Sequence, residues 1–316
     1  MPWNQQMNPT IHSREDLVFW LKLTTIKGLG PAKLLKLISA LKEIVNIRNA
    51  SDQILLQTRV FNEVSISELH KIKSASDEGF DRILDICETE NISIFPLIDD
   101  RFPQRLRNIP SPPKTLFLKG ELSLLKSISV AMVGTRESSE EANSWTSKLA
   151  YELAQNGFTI ISGGAKGIDT SAHRGALDVT NGKTICVLGS GILRPYPPEN
   201  VGLFNDILER GGLIISEHLP TFPGSRIALI QRNRITSGLS SALILCASKK
   251  MGGAMVQTKI ANEQRVQIFI PKMEYNLLPN EGLIQAKLEF GAKEISSAED
   301  VITFLKISAS QKDWFA

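Results

Sequence analysis

Three cysteines, four histidines and 6% aromatic residues are sparse for a chain of 316. Cys87, Cys186 and Cys246 are odd in number, far apart and outside any CxxC, which removes a disulfide framework and the common zinc and redox signatures. Cys186 and Cys246 lie inside the apolar runs TICVLG and ALILCAS, so buried thiols are expected. No second His or Cys stands at metal-ligand spacing from His173, and neither a metal nor a cofactor is expected. Uninterrupted apolar runs stay well below the roughly 18 residues that cross a bilayer, and the opening MPWNQQMNPTIHSRED lacks the basic-then-apolar order of a secretory signal. The expectation is a cytoplasmic protein with no membrane partner. Charge of one sign is also scarce: 36 Lys+Arg against 33 Asp+Glu give +3, too little to announce a polyanion partner.

With 42% hydrophobic and 22% charged residues, the composition is that of a globular protein, and the length suits two domains or one with an appendage. The charge is unevenly spread. Residues 225–265 carry seven bases (Arg226, Arg232, Arg234, Lys249, Lys250, Lys259, Arg265) and one acid, Glu263, so the remaining residues sum to −3.

Apolar residues at i, i+3, i+4 spacing predict helices in EDLVFWLKL, AKLLKLISALKEIV and ISELHKIKSA, a small all-helical unit over 1–80. Lys27-Gly28-Leu29-Gly30-Pro31 breaks the first two, with Pro31 suited to a first helical turn. A Pro-rich stretch, 102–122, reads as an extended strap. Beyond it, short β-rich runs alternate with helix-length segments: ISVAMVG, FTIISGG, KTICVLGS, GLIISEH, ALILCAS and RVQIFIPK. Near-continuous apolar strands of this kind predict an α/β fold, a doubly wound, mainly parallel sheet covered on both faces, over 81–308.

In such sheets ligands bind beyond the carboxyl ends of the strands, near the switch point. The residues there are Gly134-Thr135-Arg136, Gly163-Gly164-Ala165-Lys166-Gly167, Gly189-Ser190-Gly191 and Ser248-Lys249-Lys250. Small residues admit a ligand to the backbone, helix-start N–H groups favour anions, and Arg136 and Lys166 add full charge, a set that fits phosphates. Glycine turns also serve simply to make the turn. The first loop lacks G-x-G-x-x-G and no Walker sequence occurs, which weakens hydride transfer and ATP hydrolysis. Leu188 and Ile192 stand where a nucleophile elbow needs glycine. Asp169 and His173, at i, i+4, suit stabilisation of a helix or loop better than acid–base work. Gln231-Arg232-Asn233-Arg234 opens a predicted helix at the centre of the basic excess, and Arg forks bind phosphate oxygens.

Taken in order, FPQRLRNIPSPPKTLFLKG, VGTR, SGGAKGIDTSAH, KTICVLGSGI, YPPEN, SEH, QRNRITSGLS and EGLIQAKLEFGA resemble the DNA-processing protein A family, also called DprA or Smf. The resemblance implies a Rossmann-like domain that binds single-stranded DNA, loads a RecA-type recombinase, often in natural transformation, works as a homodimer and is not chiefly an enzyme. It places phosphate contacts at Arg136, Lys166 and the basic residues of QRNR; Gly163, Gly164, Gly167, Asn233, Lys249 and Lys250 complete the expected DNA-binding set. The helical unit resembles helix-hairpin-helix or sterile-alpha-motif-like domains, in which Gly28 and Gly30 either present N–H groups to a phosphate or only shape a packing hairpin. Two departures stand out. Residues 246–258 do not follow the family's V-E-A…SGSLITA pattern, and the C-terminal EISSAEDVITFLKISASQKDWFA is too short for the winged-helix domain that ends many members, so a tail over 309–316 and no such domain are expected. The alternative is a nucleotide phosphoribohydrolase-like enzyme or sensor, although Gly252-Gly253 is followed by AMVQT and not by the Gly-Thr and Glu of that family.

Overall fold

In the computed structural model, residues 11–275 and 277–312 are described. The opening residues 1–10, part of the stretch read for a secretory signal, lie outside them, as do 313–316 of the expected tail. The chain divides into two compact units, one of residues up to Leu118 with Glu217–Pro220, the other of Lys119–Ser216 and Thr221 onward.

The first unit is helical, as the periodicity predicts. Helix Arg14–Thr25 begins at Ser13, whose hydroxyl accepts from the Asp16 N–H, and buries Val18, Phe19, Trp20 and Leu23. The expected second helix is shorter than AKLLKLISALKEIV: it spans Pro31–Leu41, because Lys42 adopts a left-handed φ of 72° and a separate helix follows at Ile44–Asn49. Further helices cover Asp52–Gln57, Glu63–Ser74 and Glu78–Thr89. The unit ends later than the expected residue 80. Strands β1 (Ser93–Pro96) and β2 (Thr115–Gly120) pair antiparallel, the buried Trp20 indole donates to Thr115 Oγ1 at 2.9 Å, and Lys114 Nζ donates to Thr24 O. The Pro-rich stretch is therefore not a simple strap; it includes a helical turn, Gln104–Arg107, and all of β2.

The second unit holds seven parallel strands: β3 (Ser129–Gly134), β4 (Thr159–Ser162), β5 (Thr184–Leu188), β6 (Leu213–Ser216), β7 (Ala242–Ala247), β8 (Gln267–Pro271) and β9 (Lys293–Ile295). Their order is β6-β5-β4-β3-β7-β8-β9. The chain winds outward from β3 to β6, then returns beside β3 with β7 and winds the other way, so the switch point lies between β3 and β7. Side-chain alternation explains the unbroken apolar strands. Val130, Met132, Ile244 and Cys246 face one layer with helices Glu140–Gln155 and Ile168–Leu177. Ala131, Val133, Leu243 and Leu245 face the other, with helices Gly253–Glu263 and Glu281–Phe290. At roughly 25 cal/mol per Å² of apolar area removed from water, this two-sided burial is the main stabilising contribution to the unit. The last helix, Ala298–Lys312, takes in the start of the expected tail.

Candidate nucleic-acid interface

At the switch point, the loops leaving β3 and β7 open into a cleft of about 1070 Å³, and beside it lies a smaller pocket of about 170 Å³. Arg136, Ala165, Tyr196, Leu229 and Arg232 line both. Five of the seven bases of 225–265 border the larger cleft: Arg226, Arg232, Lys249, Lys250 and Lys259.

The SGGAKGID loop is held from three directions. The buried Asp169 carboxylate accepts from the backbone N–H groups of Gly163 and Ala165 at 3.2 and 3.3 Å. From YPPEN, Asn200 Nδ2 donates to Gly164 O at 2.9 Å, and Glu199 pairs with Lys166 at 2.5 Å. Gly167, at φ +74°, opens helix Ile168–Leu177, and a Cβ there would sit 2.6 Å from Thr135 O. Ile168 N–H donates to that same carbonyl at 3.3 Å, while Gly134 leaves no room for a Cβ against Ile168. Gly163 is fixed by a side chain: a Cβ would stand 1.6 Å from Arg232 Nη1.

Arg232 is thus 6% exposed and packed under the loop, not extended into solvent. Burial lowers its pKa, and the nearby Asp169 charge opposes that fall; burial likewise raises the Asp169 pKa against the pull of Arg232. Asp169 and His173, expected as an i, i+4 pair, bond elsewhere: Asp169 to the loop backbone, His173 Nδ1 to Thr184 Oγ1 at 2.7 Å. Since the Thr184 hydroxyl donates to Ile160 O, it must accept from His173, which fixes the proton on Nδ1. Burial, reinforced by Arg232 and Arg174, pushes the His173 pKa down to about 3. The Asp169 contribution is to loop geometry. Cys186 and Cys246 are free and buried, with thiols pushed up to about 12 by burial, so neither is a nucleophile at neutral pH.

The remaining sequence-expected residues separate by exposure. Arg136 is exposed and has no carboxylate partner among the described residues. Lys249 pairs with Glu137 at 2.6 Å, and Lys250 is exposed on the same rim. Asn233 is buried in the wall of the larger cleft. Arg234 is half-buried, with Nη1 donating to Gln231 O, and lines neither the cleft nor the pocket. The QRNR segment joins helix Arg226–Gln231 to helix Asn233–Leu239 and does not open a single helix, which is why its two arginines point to different environments. Gly28, at φ +82°, and Gly30, capping helix Pro31–Leu41, belong to the other unit, and Gly28 is exposed. After β7, Ser248–Gly252 leads into helix Gly253–Glu263 and leaves Met251 fully out in solvent, the place where the chain departs from the family pattern.

Residues 93–306 match the model of the DNA recombination-mediator protein A family. The chain belongs to this family. The match takes in every residue of the cleft and pocket. The Smf protein of Synechocystis is 33% identical over 261 residues, 81% of this chain; the chain spans 65% of that relative's length. Among solved structures, DNA processing protein A from Streptococcus pneumoniae superposes with a TM-score of 0.73 at 27% identity, covering 93% of this chain and 98% of that one. That from Helicobacter pylori, described for its single-stranded DNA binding mode, does so with a TM-score of 0.61 at 27% identity, covering 69% and 96%. Glu137, Tyr196, Glu199 and Leu229 line the cleft or pocket but are not among the residues expected there, whereas Arg226 and Lys259 belong to the basic excess and also line the cleft. Glu137 directly follows VGTR, and Tyr196 and Glu199 lie within YPPEN, so these three stood in or beside recognised motifs; Leu229 carried no signal of its own.

Proposed function

We propose that the cleft binds single-stranded DNA along its phosphates, without base-sequence preference, and that the chain mediates recombination by loading a RecA-type recombinase. Natural transformation or another recombination route would use the same activity. The observation that carries this reading is Arg136: an exposed cation at the switch point with no carboxylate partner among the described residues, shared by cleft and pocket and flanked by the basic rim. Tyr196, Ile230 and Val256, each about two-fifths exposed on these walls, offer surfaces for bases, where stacking contributes about 1–3 kcal/mol per base. Support for binding over catalysis comes from the carboxylates: Glu137 pairs with Lys249, Asp169 binds loop N–H groups, and Glu289 accepts from Gln285. The exposed Ile284 and Leu288 of helix Glu281–Phe290 supply an apolar face for a homodimer. A cytoplasmic location fits a DNA-directed role.

Anisotropy of labelled oligo-dT and of a matched duplex, across a salt series, tests the binding. Tight single-strand binding that weakens steeply with salt is expected. Arg136→Ala should lose about ten- to a hundredfold, the scale of one charge-assisted contact of roughly 1.5–3 kcal/mol, and Lys166→Ala somewhat less. Binding insensitive to salt and to both substitutions contradicts the assignment, and release of ribose 5-phosphate from nucleoside monophosphates would favour the enzymatic alternative. Recombinase loading is read separately, as faster filament formation on strands coated with single-stranded-DNA-binding protein.

A further inference from the structure

Two lysines at this site are already occupied by carboxylates. Lys166, in the loop after β4, meets Glu199 at 2.5 Å; Lys249, in the loop after β7, meets Glu137 at 2.6 Å. The pairs are separate in sequence and in the fold, yet each places an acid from one loop on a base from another, on the wall of the pocket in the first case and of the larger cleft in the second. All four side chains are more than half exposed. Exposed pairs of this kind hold geometry at little net gain, so they exchange readily for a better anion.

We propose that Glu199 and Glu137 are affinity-setting residues that stand in for phosphate: each orients its lysine toward the site in the free protein and is displaced when a DNA phosphate arrives. The inference rests on the single-stranded DNA reading above and deepens it. A carboxylate and a phosphate oxygen make the same charge-assisted bond to an ammonium group, so the lysine is held where the phosphate needs it. The competing carboxylate also discounts the phosphate contact of each lysine by the cost of breaking its pair. Arg136 lies between these two loops without such a partner and supplies the undiscounted contact. The site is thereby kept weaker than its lysine count allows, and its strand is easier to hand on.

Replacing the acids by their amides tests this, because damage to the fold lowers affinity whereas displacement predicts a gain. Glu199→Gln and Glu137→Gln should each tighten oligo-dT binding about two- to fivefold at low salt, and the double variant about tenfold. The gain from Glu199→Gln should vanish in a Lys166→Ala background, and that from Glu137→Gln in Lys249→Ala. Glu152→Gln, in the Lys148–Glu152 pair on helix Glu140–Gln155, removes the same charge away from the cleft and should change nothing. Unchanged or weaker binding by the amide variants overturns the inference, as does a gain that persists without the lysine or that Glu152→Gln reproduces. Wild type that fails to bind oligo-dT overturns the functional reading as well, and the two failures are told apart in one titration.

Discussion

Arg232 and Arg136 line the same cleft and pocket, but Arg232 is packed under the SGGAKG loop beside Asp169, and Arg136 is open to solvent without a carboxylate. The same contrast separates Asp169, which fastens backbone N–H groups, from Glu199, which sits on an exposed lysine. Residue type alone would assign all four to ligand binding. Burial decides otherwise: a desolvated charge is committed to its internal partner, because removing that partner strands it, whereas an exposed charge can exchange partners at little cost.

The strongest way to break this comparison is Asp169→Ala. It leaves two loop N–H groups without their acceptor and removes the charge that opposes the desolvation of Arg232, and thermal or urea unfolding should show a loss of about 2–5 kcal/mol. A change below 1 kcal/mol would place Asp169 with the exposed acids. Next comes acid sensitivity. His173 is neutral in the folded state down to a pKa of about 3, while an unfolded histidine takes up its proton near 6.5. The unfolded state therefore binds more protons between these values, and the His173 contribution to stability falls as pH drops from 6.5 toward 3, by up to about 1.4 kcal/mol per pH unit. Denaturation curves for wild type and His173→Asn between pH 7 and 4 should differ by that dependence, and parallel curves would remove it. The smallest effect is expected of Gly163→Ala, whose methyl group must push Arg232 from its place at a cost of about 1–3 kcal/mol. Here oligo-dT affinity sharpens the contrast: the variant should lose stability and affinity together, whereas Arg136→Ala should lose affinity at unchanged melting temperature.

Strands β3 to β8 were legible because a sheet buried on both faces writes itself as short apolar runs, and every such run in the sequence became a strand within a few residues. β1, β2 and β9 were missed for the opposite reason. Ser93–Pro96 is short and ends in proline, Thr115–Gly120 lies inside the Pro-rich stretch, and Lys293–Ile295 has two exposed charged residues. The break at Lys42 was invisible because its left-handed backbone falls on a residue type that rarely adopts it. At the site, the glycine loops and Arg136 could be read from position after a strand. The division of labour between Arg232 and Arg234 could not, since it depends on where one helix ends and the next begins. The pairing of Lys166 with Glu199 joins residues far apart in the chain and needed the fold to bring them together.

The bond from Ile168 N–H to Thr135 O, with Gly134 and Gly167 packed against the opposite loop, makes the turns after β3 and β4 a single mechanical piece. A site built this way has little conformational entropy left to surrender on association, so the ordering cost of any complex falls on the ligand. It also means that neither turn can be transplanted alone: a chimera carrying one relative's VGTR loop needs that relative's SGGAKGID loop with it.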